Sequence, residues 1–197
     1  MKILLLSGGY DSTALAWELR PALALTVDYG QLAAEGEIRA SRAVARALGL
    51  QHEVLTVDCR ALGSGVMAGV PPLQEAPSQE WWPFRNQFLV TLAAMRALQI
   101  GAKGIVIGTV STDRFHDDGK PEFINSMNRV LAAQEGILRL EAPAIDVKTA
   151  DLVRRSGVPR DVLGWSHSCH VAPWACGTCP GCRKALSVRV ELGHEPV

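Results

Sequence analysis

Two short stretches hold residues whose types and spacing could do chemistry. The first is Ser7-Gly8-Gly9-Tyr10-Asp11-Ser12-Thr13, which stands between an apolar run and a helical pattern. Two adjacent glycines let the backbone turn tightly and press its N–H groups against a ligand with no Cβ in the way. Free N–H groups at a helix start, with the positive end of the helix dipole, form an anion site. Ser7, Ser12 and Thr13 add hydroxyl donors. Asp11 is out of place beside a phosphate unless it positions Mg²⁺ or caps the helix. A plain Gly-Gly turn with an aspartate cap would account for part of this, but not for the whole run at a strand–helix junction.

The second stretch is Cys169-x6-Cys176-x2-Cys179-x2-Cys182. Four thiolates at short spacing match a tetrahedral Cys₄ zinc site, and Gly177, Pro180 and Gly181 supply the turns that wrap a chain round an ion. With all four positions filled by protein, such a Zn²⁺ is structural. An iron–sulfur cluster is the competing reading. His167 and His170 flank Cys169 as spare ligands or as bystanders. Cys59 stands alone and reads as an ordinary buried thiol.

These stretches need elements to position them. Ile3–Leu6 reads as a buried strand, Thr13–Arg20 as a helix and Ala22–Asp28 as a second strand. Glu35–Leu48 repeats apolar or small residues on one face of a helix, with Arg42 and Arg46 on the other and Gly49 as a stop. A third strand follows at His52–Val57. Seven glycines and prolines between 60 and 84 break any period, so that segment reads as a long irregular loop of the functional kind. Asn86–Leu98 is a helix, Gly104–Gly108 a fourth strand and Glu122–Ala133 a helix.

Alternating strands and helices predict an α/β fold, a doubly wound parallel sheet whose ligands bind beyond the strands' C-terminal ends. The loops there are 7–12, 28–31 and 109–120. The reading divides the chain into a nucleotide-binding domain, 1–145, and a small helical, zinc-binding subdomain, 146–197.

Composition narrows the class. Lys plus Arg and Asp plus Glu are both 20, so the basic excess expected of a nucleic-acid binder is missing. No apolar run is long enough to span a bilayer. Four of the five cysteines crowd into 14 residues, which favours metal binding in a reducing cytoplasm over a disulfide framework.

The loop at 7–12 is neither GxxxxGK[ST] nor GxGxxG. It resembles the SGGxDS signature of the PP-loop ATP-pyrophosphatases, which hold the pyrophosphate of ATP while the α-phosphate is attacked. Taken with Asp28-Tyr29-Gly30-Gln31, Arg85-Asn86, Gly108, Asp113, Pro121–Asn128, Lys148 and the four cysteines, the chain is similar to the 7-cyano-7-deazaguanine synthase family. That resemblance runs from residue 1 to about 187. It implies an ATP-dependent ligase that converts 7-carboxy-7-deazaguanine and ammonia to a nitrile, with Mg²⁺ beside the phosphates. Family members are often homodimers, which sets the expectation here.

On that resemblance Ser7, Gly8, Gly9, Tyr10, Asp11, Ser12, Thr13 and Gly108 bind ATP, and Asp28 and Tyr29 line its pocket. Arg85 and Lys148 neutralise phosphate or carboxylate charge or are plain surface cations. Asp113 and Asp117 hold Mg²⁺ or substrate or are solvated loop acids. Trp81 and Trp82 stack on a flat heterocycle or anchor their loop. The chain departs from the family's pattern at Phe84, at 115–120 and in a trimmed 60–84 loop. These departures keep open a relative that joins a deazapurine to a peptide. A tRNA-thiolating enzyme is a further alternative. It wants a catalytic cysteine near the ATP site and a basic face, where Cys59 is the only spare thiol and the net charge is zero. A non-catalytic zinc module leaves Ser7–Ser12 unexplained.

Overall fold

A computed structural model describes residues 1–194. The elements are β1 (Lys2–Leu5), α1 (Tyr10–Leu19), β2 (Leu23–Asp28), α2 (Ala34–Leu48), β3 (His52–Thr56), α3 (Gly65–Ala68) and α4 (Arg85–Ile100). They continue with β4 (Gly104–Val106), α5 (Pro121–Ala132), β5 (Arg139–Glu141), α6 (Thr149–Ser156), α7 (Arg160–Leu163) and α8 (Pro180–Glu191). The strands form one parallel sheet in the order β3-β2-β1-β4-β5. The expected α/β class holds. Among the described residues no helix is long and apolar enough to cross a membrane.

The order places β1 in the middle. The chain builds β2 and β3 on one side of it, then returns to build β4 and β5 on the other. A crevice opens above the C-terminal ends of β1 and β4, where the order reverses. The loop at 7–9 and the segment after β4 both emerge there.

Side chains of β1 alternate between two cores, as a period of two requires. Ile3 and Leu5 join Leu25, Val90, Ala97, Ile105 and Leu140 on the face covered by α4 and α5. Leu4 and Leu6 join Leu15, Val44, Leu152 and Leu163 on the face covered by α1, α2, α6 and α7. Burial of β1 on both sides explains its unbroken Ile-Leu-Leu-Leu run. The α6 and α7 helices therefore share the core of the strands although they follow residue 145. Residues 195–197 of the expected C-terminal unit lie outside the described residues.

Two expectations need refining. The strand β5 goes unseen in the sequence because it has three residues, Arg-Leu-Glu, of which only Leu140 is buried. The 60–84 segment is less irregular than its glycines and prolines predict, with a 3-10 turn at Arg60–Leu62 and the short α3. It closes on itself through Val66 N–H to the Gln79 carbonyl at 2.8 Å, and on α2's approach through Leu32 N–H to Met67 at 2.9 Å.

Trp82 anchors that segment. It is 5% exposed and meets the Tyr29 ring edge-on, centroids 4.9 Å apart. Trp82→Ala should cost about 3–5 kcal/mol in chemical denaturation. Limited proteolysis of the variant should cut first within 60–84, and an unchanged cleavage pattern would show that the anchor lies elsewhere.

Candidate active site

The glycine loop is held from behind. Gly8 has φ +76, and a Cβ there would lie 2.7 Å from Ala40 Cβ and 2.9 Å from Ser41 N. Its carbonyl accepts the backbone N–H of His167 at 2.8 Å. Gly8 therefore faces α2 while Gly9 faces the crevice. Thr13 is fully buried, and its Oγ1 accepts from Ser166 Oγ at 3.3 Å. These two residues shape the loop from behind the cavity, not from its wall. Gly9 is the N-cap of α1 and no side chain caps it, so the helix's first N–H groups stay free for a ligand.

In front of the loop lies a cavity of about 530 Å³. Ser7, Gly9, Tyr10, Asp11 and Ser12 line it, with Gly108 opposite. Ser7 Oγ and Ser12 Oγ are 3.2 Å apart, presenting two hydroxyls together. A Cβ on Gly108 would come into van der Waals contact with Ser12, 3.4 Å from its N, so a glycine here leaves room at the mouth of α1.

Charged groups converge on the same space. Lys184 of α8 places its Nζ 3.3 Å from Asp11 Oδ2 and 3.0 Å from Asp113 Oδ1. The other Asp113 oxygen accepts Val110 N–H at 3.1 Å. Burial raises the Asp11 pKa against the opposing pull of Lys184, with Thr149 also favouring the ionised form. Asp11 Oδ1 and Thr149 Oγ1 are buried and meet only each other, short of a well-formed hydrogen bond. Burial works against the Lys184 charge, and Asp11 and Asp113 outweigh it.

Across the cavity Arg85 donates to Met67 Sδ at 3.2 Å and faces Tyr29, Asp118 and Glu37. Burial pushes the Glu37 carboxyl up to about 7, although Gln31 Nε2 donates to it at 2.8 Å and Arg85 favours its charge. Burial likewise raises the Tyr29 phenol. His170 sits on the far wall, its pKa driven down to about 4 chiefly by burial.

Several expected residues stand elsewhere. Asp28 accepts Gly30 N–H at 3.0 Å and borders a surface groove beside Arg42 and Arg46, outside the cavity. Lys148 is exposed at the start of α6, where the buried neighbour Thr149 does line the cavity. Asp117 is a solvated acid paired with Lys120 at 2.6 Å, and Asp118 takes the inward place. Neither Trp81 nor Trp82 lines the cavity, and Cys59 packs against the first core. Lys184, Glu37 and Thr149 are absent from the sequence reading. No short motif carries them, since Lys184 lies 173 residues from the aspartate it meets.

The four cysteine sulfurs lie within 4.8 Å of one another, with Cys169–Cys179 and Cys176–Cys182 both 3.9 Å apart. A tetrahedral zinc with bonds of about 2.3 Å has sulfur–sulfur edges of about 3.8 Å. The set fits one such ion and is too tight for a four-iron cube. Backbone N–H groups of Cys179 and Cys182 point at cysteine sulfurs, as thiolates require. Neither histidine is a ligand, since His167 Nε2 faces the Ala172 carbonyl at 3.1 Å. Gly181 has no alternative, because a Cβ there would meet Ser168 O at 1.9 Å. Cys169, Pro180 and Gly181 also line the cavity, so the knot forms one of its walls.

Two outcomes follow from this arrangement. A zinc ion held by this knot would contribute local folding energy on the order of 10 kcal/mol, which a strong chelator would remove. The thermal midpoint should drop by more than about 10 °C, and an unshifted midpoint would dismiss a structural ion. Glu37 has its folded pKa above the ordinary 4.5, so its contribution to stability falls as pH rises from about 4.5 to about 7. Glu37→Gln should therefore gain on the parent across that window by on the order of 2 kcal/mol, read by urea denaturation at each pH. An equal gap at both ends would refute it.

Comparison with known proteins agrees over nearly the whole chain. The family model described as "Queuosine biosynthesis protein QueC" matches residues 1–188. A 7-cyano-7-deazaguanine synthase from Desulforudis audaxviator (strain MP104C) is 35% identical, over 97% of this chain and 97% of its own. Those from Acinetobacter baylyi and Azoarcus sp. (strain BH72) are 33% and 36% identical, covering 97% and 92% of this chain and 91% and 88% of theirs. Among solved structures, NMN synthetase from Francisella tularensis aligns with a TM-score of 0.49 at 13% identity, over all of this chain and 78% of that one. The chain belongs to the QueC family of queuosine biosynthesis proteins.

Proposed function

We propose that this chain uses ATP and ammonia to convert 7-carboxy-7-deazaguanine to 7-cyano-7-deazaguanine. The observation that carries the reading is an uncapped helix start, fronted by two serine hydroxyls and Gly108, opening into a cavity lined on its other side by Arg85. The relatives' names supply the nitrile product, and the carboxylate is the precursor that adenylation chemistry would act on.

A carboxylate cannot expel oxide toward ammonia at neutral pH. Its oxygen attacks the α-phosphorus of ATP, pyrophosphate leaves, and the acyl adenylate now carries AMP as a good leaving group. Ammonia adds to the carbonyl, loses a proton and expels AMP, giving the amide. A second activation at the amide oxygen, followed by loss of AMP and the remaining N–H protons, gives the nitrile.

The loop N–H groups with Ser7 and Ser12 hold the pyrophosphate, which puts donors where charge develops. Arg85 holds the substrate carboxylate across from them and keeps it aligned for attack. Asp11, Asp113 and Thr149 offer hard oxygen donors that would hold Mg²⁺, whose charge would offset that of the phosphates. Zn²⁺ in the cysteine knot is structural, and a site built on unoxidised cysteines suits the cytoplasm. A homodimer is the assembly expected by analogy.

The reading is tested by incubating zinc-loaded protein with 7-carboxy-7-deazaguanine, ATP, Mg²⁺ and ammonium. Mass spectrometry should find the nitrile, with AMP and pyrophosphate formed at each activation. Arg85→Ala and Asp11→Asn should each lower kcat/KM by roughly 100-fold or more, the loss of one oriented charge contact at a transition state. If AMP forms but ammonium is not incorporated, a peptide amine replaces ammonia as the nucleophile to try. Absence of AMP with this carboxylate would reject the substrate.

A further inference from the structure

The pair of carboxylates at the cavity floor creates a problem that the glycine loop alone does not solve. Asp11 comes from the first turn of α1 and Asp113 from the turn after β4, and they share one neighbour, the Lys184 ammonium. Asp11 is largely buried and Asp113 partly exposed; two carboxylates brought together repel, and Asp113 adds to the burial that disfavours the Asp11 charge. A cation has to stand between them. Lys184 does so from outside the sheet, on the helix whose first turn is capped by Cys179 and contains Cys182.

Lys184 is not the only group aimed at this point. Thr149 is 3% exposed, and its hydroxyl meets the buried Asp11 Oδ1 without a well-formed hydrogen bond, neither oxygen having another partner. Hard oxygen donors thus remain over after the ammonium has been served. An ammonium is a compact charge with three donors on a flexible stem. Two carboxylates use two of them, and the side chain still borders the cavity.

We propose that Lys184 is a positioning residue that holds the divalent-cation place between Asp11 and Asp113 until ATP arrives, then yields it and turns onto the phosphates. This rests on the reading of the cavity as an ATP site. One carboxylate oxygen cannot serve an ammonium and a divalent ion in the same direction at once, so the lysine suppresses binding of free metal. Nucleotide relieves that competition by offering the ammonium a better anion. Metal and ATP then bind as a unit, and the carboxylates are never left bare.

The sign of the effect makes it testable without turnover. Binding of Mn²⁺ to the protein is followed by its EPR signal, with and without α,β-methylene-ATP, which cannot be cleaved at the α–β bond. Each titration is compared with a protein-free one, because the analogue itself chelates Mn²⁺. In the zinc-loaded parent Mn²⁺ should bind weakly alone and at least about tenfold more tightly with the analogue, one such factor being about 1.4 kcal/mol. Lys184→Met keeps the stem and removes the charge. It should tighten Mn²⁺ binding without nucleotide by roughly tenfold and weaken the analogue by a similar factor. Lys184→Arg, which keeps the charge, should leave Mn²⁺ alone weakly bound.

A merely structural lysine would weaken both ligands on removal, so unchanged or weaker Mn²⁺ binding by a Lys184→Met protein of parental circular dichroism overturns the proposal. If that variant does not fold, the parent decides: equal Mn²⁺ affinity with and without the analogue overturns it as well. Failure of the analogue to bind the parent at all would instead strike at the ATP reading.

Discussion

The backbone hydrogen bond from His167 to Gly8 joins the two ends of this protein's chemistry. A loop made of two glycines has little side chain with which to hold its own shape. Gly8 makes its close approach to α2 with a left-handed φ, and the loop's own Ser7 and Ser12 bonds reach Gly9 rather than Gly8. The lock is the 2.8 Å bond from the segment that leads into the cysteine knot. His167 also fills the space that a side chain on Gly36 would need, its Nε2 2.5 Å from where that Cβ would lie. The anion cradle is thus shaped by the opposite end of the chain.

Around that contact the fold distributes tasks by physical type. The sheet supplies rigidity, being buried on both faces, and its reversal of strand order at β1 supplies the crevice. Loops supply backbone donors. Helices supply charge: Arg85 at the start of α4, Lys184 one turn into α8 and Glu37 in the first turn of α2. The cavity wall holds both signs, and each buried charge has a partner of the opposite sign close by, as a low-dielectric site demands. Glu37 is held near its titration point because burial, Gln31 and Arg85 pull it in opposing directions.

The sequence makes the covalent logic legible and the geometry only in part. Ser7–Ser12 and the four cysteines are readable because each set is local, so that its spacing fixes what it can bind. The strands are readable where burial on both faces leaves unbroken apolar runs, as in β1. Reading stops at contacts made across the fold. Lys148 and Lys184 look alike in sequence, yet only the second meets Asp11 and Asp113, because the knot aims α8 at the cavity while α6 leaves Lys148 in water. Asp117 and Asp118 differ only in which side of a 3-10 turn they occupy. Trp82 reads equally as a stacking platform or an anchor until its ring is found against Tyr29 inside the core.

The position of β1 bears on how the molecule comes to exist. This strand leaves the ribosome before the other four of the sheet, yet it sits at the sheet's centre and carries the loop that the cysteine-bearing segment must later clamp. The nascent chain exposes an apolar central strand on one open edge until β4 emerges, an interval in which pairing with a stranger is a hazard. It also has no formed anion grip until the residues around His167 have left the ribosome. Competence therefore arrives late and all at once, so that a prematurely ended chain is silent rather than half active.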